Sequence, residues 1–128
     1  MDKIREDILL FFSGHPQALP VYEEFEEKLM KRCPETSIRV QKTQIGFSKR
    51  HLYACVSFQR VRKKSELPEA YFVLSLGLPR PLDSARVAAK TEPRPGRWTN
   101  HIVIGTAEDL DEELFSWIDE ACAFAESK

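Results

Sequence analysis

The chain has 128 residues, of which 42% are hydrophobic, and a formal net charge of −1, which fits one domain over residues 1–128 with its own core and argues against a generic polyanion binder. Its three cysteines, Cys33, Cys55 and Cys122, are an odd number at wide spacings, so we expect reduced thiols in a cytoplasmic setting rather than a disulfide framework or a paired zinc site. No apolar run approaches the roughly 20 residues that a transmembrane helix needs, and no membrane partner is expected.

Two helices are predicted in the N-terminal part of the chain. The first begins at Asp2, a suitable N-cap, and ends near Gly14. Its apolar face consists of Ile4, Ile8 and Phe11 or Phe12. The second runs from about Pro20 to Cys33, with acidic residues first and basic residues last, the order that the helix dipole favours. Its apolar face consists of Tyr22, Phe25, Leu29 and Cys33.

From Ser37 onward the apolar period changes to two, which is typical of strands. The alternation predicts strands over residues 38–40, 45–47, 52–58, 71–76 and 100–104. In the stretch VQKTQIGFSKR the apolar pairs before and after Lys42-Thr43-Gln44 differ in parity, which predicts a bulge or a tight turn there. Before the last strand, a segment with four of the eight prolines predicts an extended loop, with a short helical turn over Ser84 to Ala89.

The last predicted element is a C-terminal helix. Thr106 is its expected N-cap, with Asp109 three residues on as an approximate capping box. Its apolar stripe, expected to lie in the core, consists of Leu110, Leu114, Trp117, Ile118, Ala121 and Phe124 or Ala125. The element order therefore predicts an α+β domain: an antiparallel sheet of about five strands, closed by the strand over residues 100–104, with two N-terminal helices and one C-terminal helix mainly on one face.

Three motifs carry a resemblance to a known family. They are KTQIGF at residues 42–47, GRWTNH at residues 96–101 and DEELFSW at residues 111–117. Together with the segment VYEEFEEKL they resemble the domain of unknown function 5655, over roughly Leu19 to Glu126. Trp98 stands where the family pattern has a Phe or a Tyr. The resemblance implies a fold unit of small bacterial proteins, and it brings no reaction, cofactor or partner.

Positive charge is concentrated in the centre of the chain. Residues 39–97 carry 13 basic and 4 acidic side chains, whereas residues 1–38 and 98–128 have net charges of −3 and −7. In a regular strand Lys42 would face the core, where an unpaired charge is costly, so a turn would direct it to solvent, to a helix carboxylate or to a bound anion. The candidate residues of an anion-binding surface are Lys42, Thr43, Gln44, Arg50, Arg97, Trp98 and His101.

No catalytic motif is found in the sequence. It lacks a glycine-rich phosphate loop, His-Glu-x-x-His and Gly-x-Ser-x-Gly, and its three histidines lie far apart, so we expect neither a metal site nor a cofactor. Cys55 and His101 could form a nucleophile pair across strands, although a half-buried structural cysteine is the more common case. The carboxylates at residues 108–113 fit the first turns of a helix better than a magnesium site.

Three hypotheses about function follow from these observations. The leading one is a non-catalytic binding module for a small anionic ligand or an acidic protein partner. The first alternative is a nucleic-acid-associated domain, favoured by the basic central segment and its interleaved aromatic residues Tyr53, Phe58, Tyr71 and Trp98. The second alternative is an enzyme, for which a pocket rather than a motif would be the indication.

Overall fold

Three helices and six strands make up the described part of the chain. The computed structural model describes residues 3–127, and the side chains of all of these except Lys64, so the predicted cap Asp2 lies outside the described residues. The elements are α1 (Lys3–Phe11), α2 (Leu19–Arg32), β1 (Ser37–Val40), β2 (Gln44–Ser48), β3 (Leu52–Ser57), β4 (Phe72–Leu78), β5 (Val87–Arg94), β6 (Arg97–Ile104) and α3 (Glu112–Glu126). No helix within residues 3–127 has the length and apolar content to cross a membrane.

The six strands form one antiparallel sheet in the order β1-β2-β3-β4-β6-β5. The predicted α+β class is therefore confirmed, and the sheet has one strand more than the five that were expected. The additional strand is β5, at one edge of the sheet beside β6. Its Pro93 lies within a register shift between Thr91 and Arg94. Proline is compatible with an edge strand at such an irregularity, because no ladder hydrogen bond is required of it there.

The segment before β5 is not helical. The Val87 N–H donates to the Ser84 carbonyl at 3.1 Å, which closes a single turn, and the chain continues from Val87 as a strand. The predicted helical turn over Ser84 to Ala89 is therefore wrong beyond Arg86. The strand expected over residues 100–104 begins at Arg97 and lies inside the sheet, between β4 and β5.

One face of the sheet forms the core together with the helices. Tyr22, Phe25 and Leu29 of α2 are fully buried, as the sequence predicted. In α1, Ile8 is buried, whereas Ile4 at the start of the helix is 39% exposed. The sheet residues of the core alternate along their strands: Ile45, Phe47, Ala54, Val56, Phe72, Leu74, Leu76, Ile102 and Ile104.

The core-facing residues of α3 differ in part from the predicted stripe. Leu114, Ile118 and Ala121 are buried as expected, but Trp117 is only half-buried, with the Arg86 guanidinium 5.6 Å from its ring centroid. Phe115, which the stripe did not include, is 3% exposed and stacks against Phe25. The buried face of α3 is thus turned toward Phe115, and Trp117 lies at its margin.

The start of α3 also differs from the prediction. Thr106 precedes a short 3-10 turn, where the Asp109 carboxylate accepts the N–H of Thr106 at 3.1 Å. The α-helix itself begins after Asp111, whose carboxylate accepts the Leu114 N–H at 2.9 Å. This hydrogen bond and the neighbouring Arg86 lower the pKa of Asp111. Asp111 is therefore the N-cap of α3.

The turn expected at Lys42-Thr43-Gln44 is confirmed. Val40 pairs with Ile45, and the Gln41 N–H donates to the Gln44 carbonyl at 2.8 Å, so the chain reverses between β1 and β2. The parity change follows from this reversal, because residues on the two sides of the turn belong to different strands.

A bulge is found in the second hairpin, which β2 and β3 form, close to the turn between them. Phe47 pairs with Ala54 and Ser48 with Leu52, which leaves Tyr53 unpaired. Tyr53 is 1% exposed and belongs to the core. Its hydroxyl lies 2.7 Å from Thr36 Oγ1.

Candidate functional site

The sheet face opposite the helices carries small and polar side chains at paired positions. Across this face Gln44 pairs with Ser57, and Ser75 pairs with both Cys55 and His101. These residues alternate with the core residues of their strands, so they point away from the helices. We call this surface, which consists of Gln44, Gly46, Cys55, Ser57, Val73, Ser75, His101 and Val103, the open face.

His101 is held by Ser75 of the open face and by Gln59, which follows β3. Ser75 Oγ lies 2.7 Å from His101 Nδ1, and Gln59 Nε2 lies 3.1 Å from the same nitrogen. Burial lowers the pKa of His101, so its imidazole is neutral near pH 7. A neutral imidazole has one nitrogen that accepts and one that donates, and Gln59 Nε2 also lies 3.5 Å from His101 Nε2.

Cys55 and His101 do not form a direct nucleophile pair. Ser75 lies between them on β4, so their backbones are about 10 Å apart, two strand spacings. Burial raises the pKa of the Cys55 thiol, and a hydrogen bond with Ser75 opposes this only in part. The thiol is therefore protonated at neutral pH, which makes it a poor nucleophile.

A groove lies where the end of α1 approaches the turn between β1 and β2. Its volume is about 590 Å³, and we call it the hairpin groove. It is lined by Phe11, Gly14, His15, Lys42, Thr43, Gln44, Ser57, Phe58 and Gln59. The turn thus brings three of the predicted site residues to one concave surface, and Gln59 connects that surface to His101.

Aromatic rings form the apolar wall of the hairpin groove. The rings of His15 and Phe58 stack with centroids 3.8 Å apart, and Phe11 stacks on Phe58 at 5.2 Å. Phe11 also packs edge-on against Phe12 in the core. These contacts fix the end of α1 against the end of β3, so the wall of the groove rests on the core.

The hairpin groove is electropositive. None of its nine lining residues is acidic, and no ion pair within the described residues involves Lys42. Lys42 also borders a second groove of about 390 Å³ that contains Asp7. The Asp7 carboxylate pairs with Lys3 at 3.1 Å. The ammonium group of Lys42 is therefore available to a ligand.

The other predicted site residues lie elsewhere on the sheet. Gln44 and Val103 belong to the same row of paired residues, whereas Arg97 is six residues before Val103 on β6, about 20 Å away. Trp98 is beside Arg97, and Arg50 is in the turn between β2 and β3, at that same end of the sheet. The expectation that Lys42 and Arg97 share one surface is therefore wrong.

Ion pairs join the acidic C-terminal helix to part of the basic central segment. Acidic residues of α3 pair with cations from the basic central segment: Glu126 with Lys49 at 2.9 Å, Glu120 with Arg80 at 2.8 Å and Glu113 with Arg86 at 3.1 Å. Lys49, Arg80 and Arg86 are thus neutralised within the fold, so the sequence charge overstates the free positive surface. Lys42 is among the central cations that remain.

Sequence reasoning did not identify Gln59, Ser75 or His15 as site residues. Gln59 lies outside any regular strand, and its side chain is positioned by hydrogen bonds to His101. His15 reaches the groove because α1 ends nearby, which the sequence predicts, but its stacking on Phe58 joins residues 43 positions apart. Only the periodicity of β4 gave a local signal, because it places Ser75 and Leu74 on opposite faces of the sheet.

Comparison with known proteins identifies a family but no characterised relative. No group of three or more metal-ligating side chains is found within the described residues. No curated protein and no solved structure matches the chain. The family model described as Domain of unknown function (DUF5655) matches residues 10–125. The three motifs named from the sequence fall on the turn between β1 and β2, on β6 and on α3. The chain therefore belongs to the DUF5655 family.

Proposed function

We propose that this domain is a non-catalytic binding module of the bacterial cytoplasm that takes an anionic group in the hairpin groove. One observation carries the proposal: Lys42, which has no ion pair within the described residues, borders a groove of about 590 Å³ whose nine lining residues include no acid. A small ligand with a phosphate or carboxylate group, or an acidic side chain of a protein partner, fits this chemistry.

The groove supplies complementary donors around such an anion. The Lys42 ammonium acts as a point charge, and the Thr43 hydroxyl and Gln44 amide lie on the same turn to donate hydrogen bonds. Gln59 also lines the groove and holds His101. In this proposal His101 acts through Gln59, whereas Arg50, Arg97 and Trp98 bind nothing in the groove.

A titration with simple anions tests the proposal. Backbone amide shifts of the labelled domain would be followed by NMR at low ionic strength during addition of inorganic phosphate and of acetate. We expect the shifts to centre on residues 41–44 and 57–59, and Lys42→Ala to weaken binding about tenfold or more. Arg97→Ala, which removes an equal charge at the far end of the sheet, is the matched control and should bind as the wild type does. Absence of shifts in the wild type, or equal loss in both variants, would overturn the proposal.

Hydrolysis is a second candidate function, favoured by the Ser75–His101 hydrogen bond of 2.7 Å. A serine beside a neutral imidazole has the arrangement of a nucleophile and its base. Ser75 is only 6% exposed, so a substrate reaches its Oγ only after neighbouring side chains move. Labelling of Ser75 by a fluorophosphonate, lost in His101→Gln, would support this function, and an unlabelled wild-type protein would exclude it.

A further inference from the structure

Two further concave surfaces follow the hairpin groove, and each shares a lining residue with the one before it. The hairpin groove shares His15 with a concavity of about 440 Å³, which in turn shares Arg60 with an open concavity of about 870 Å³. The second is lined by His15, Arg60, Leu67, Pro68, Glu69 and Tyr71, and the third by Arg60, Val61, Arg62, Lys63, Glu66 and Ala88. These three surfaces, which follow one another along the loop between β3 and β4, are together called the basic track.

Cations outnumber acids along the basic track. Lys42, Arg60, Arg62 and Lys63 border it, and no ion pair within the described residues involves any of these four. The acids that line it are Glu66 and Glu69. The Arg62 guanidinium donates to the Ala85 carbonyl at 3.2 Å, which ties the loop to the segment before β5. Arg60, Arg62 and Lys63 thus line the third concavity, Arg60 also borders the second, and Lys42 lies in the hairpin groove at the other end.

Rings accompany the charges on the basic track. His15 is exposed and stacks on Phe58 at the junction of the first two concavities, and the half-buried Tyr71 lines the second. Cations in a row with rings beside them are the features with which proteins bind single-stranded nucleic acid, because phosphates meet the cations and bases stack on the rings. A duplex keeps its bases paired and stacked inside, and it would leave these rings unused.

We propose that the basic track binds single-stranded nucleic acid, with phosphates on Lys42, Arg60, Arg62 and Lys63 and with bases against His15 and Tyr71. The inference rests on the proposed function, since Lys42 belongs to both sites, and it specifies the anion as one phosphate in a chain of phosphates. Tyr53, which the sequence suggested as a base contact, is buried in the core and takes no part.

Fluorescence anisotropy with labelled single-stranded oligonucleotides of about 4 to 12 nucleotides tests the inference. We expect affinity to rise with length until the track is filled. The logarithm of the affinity should fall against the logarithm of salt concentration with a slope of about −3, because each contacted phosphate contributes about −0.7 for single strands. The double variant Arg60→Ala, Lys63→Ala should reduce that slope to about −1.5. Tyr71→Ala should weaken binding without changing the slope.

A matched control separates the track from general positive charge. Arg94→Ala with Arg97→Ala removes the same charge from the connection between β5 and β6, away from the track, and should leave affinity and slope unchanged. Equal weakening by both double variants would overturn the inference. A glutamate oligomer of equal charge that binds as tightly would also overturn it, because the partner would then be an acidic peptide.

The outcomes distinguish failure of this inference from failure of the proposed function. If inorganic phosphate shifts residues of the hairpin groove but oligonucleotide affinity does not grow with length, the track is wrong and the groove remains. If neither phosphate nor oligonucleotides bind at low ionic strength, both are wrong. If oligonucleotides bind and Lys42→Ala has no effect, the nucleic-acid site excludes the groove, and the track as defined here is wrong.

Discussion

Burial of individual polar residues in this domain changes the pH at which they take up a proton. His101 is the clearest case, since its ring is hydrogen-bonded to Ser75 and to Gln59. Burial favours its neutral form in the folded state, whereas in the unfolded chain it titrates near its ordinary pKa of about 6.5. Protonation of His101 is therefore linked to unfolding.

This linkage predicts a pH dependence of stability. The unfolded chain binds a proton at His101 more readily than the folded domain, so the free energy of unfolding should fall as the pH drops below about 6.5 and should be insensitive to His101 above about 7.5. Urea unfolding at several pH values between about 5 and 8 measures this dependence of the free energy of unfolding. His101→Gln should reduce the pH dependence, and an unchanged profile in that variant would contradict the assignment.

The bulge residue Tyr53 gives a second prediction at this scale. Its hydroxyl and Thr36 Oγ1 are 2.7 Å apart in a buried site. Tyr53→Phe leaves the Thr36 hydroxyl without this partner and should lower the free energy of unfolding by about 1–3 kcal/mol, whereas adding Thr36→Val should recover part of the loss. A double-mutant cycle from urea unfolding measures the coupling, and purely additive losses would argue against the hydrogen bond.

Elements with strong periodicity were predictable, and elements defined by their neighbours were not. The face of α2 and the alternation of β3 and β4 follow from residue spacing alone, because a single buried face imposes its period on the sequence. β5 escaped prediction because five of its eight residues are exposed and it contains Pro93. Its strand conformation comes from pairing with β6, which no local pattern encodes.

The candidate site was predictable only where its residues are local in sequence. The turn at Lys42-Thr43-Gln44 follows from a change of parity, so three site residues were found together. The separation of Lys42 from Arg97 depends on strand order and on the direction of β6, which the sequence does not specify. Likewise, Gln59 joins the site through contacts with residues far along the chain.

The helix phase of α3 predicts which of its aromatic residues stabilises the fold more. Phe115→Ala removes a ring that is 3% exposed and should cost about 3–5 kcal/mol. Trp117→Ala should cost less, because its half-buried ring lies at the margin of the core beneath Arg86. Urea unfolding of both variants decides the order. A greater loss in the free energy of unfolding for Trp117→Ala would mean that Trp117 belongs to the core.

At the scale of the whole molecule, α3 connects the fold through charge as well as through packing. Its carboxylates pair with Arg32 of α2, with Lys49 of the second hairpin and with Arg80 and Arg86 of the loop before β5. Exposed pairs of this kind contribute little individually, up to about 1 kcal/mol each. Their larger consequence is for binding, since they engage Lys49, Arg80 and Arg86, whereas the four cations of the basic track have no ion pair within the described residues.

The fold holds together without a covalent link, which predicts its redox behaviour. Cys33, Cys55 and Cys122 are free thiols, and burial raises the pKa of Cys122 to about 11. The free energy of unfolding should therefore be the same with and without a reducing agent. Mass spectrometry of the native protein should find three alkylatable cysteines after unfolding, and a bridge between Cys33 and Cys122, whose thiols are neighbours, would contradict this.

The composition of β5 has a consequence for how copies of this domain meet one another. An edge strand exposes unpaired backbone groups that can recruit a strand of another molecule, which is a common route to aggregation. β5 carries Lys90, Glu92, Pro93 and Arg94 on that edge, and its pairing with β6 is interrupted around Pro93. Charge repels an approaching strand, and proline has no N–H to offer it. The irregularity around Pro93, which kept β5 from being predicted from the sequence, thus also protects the sheet from growing by addition of further chains.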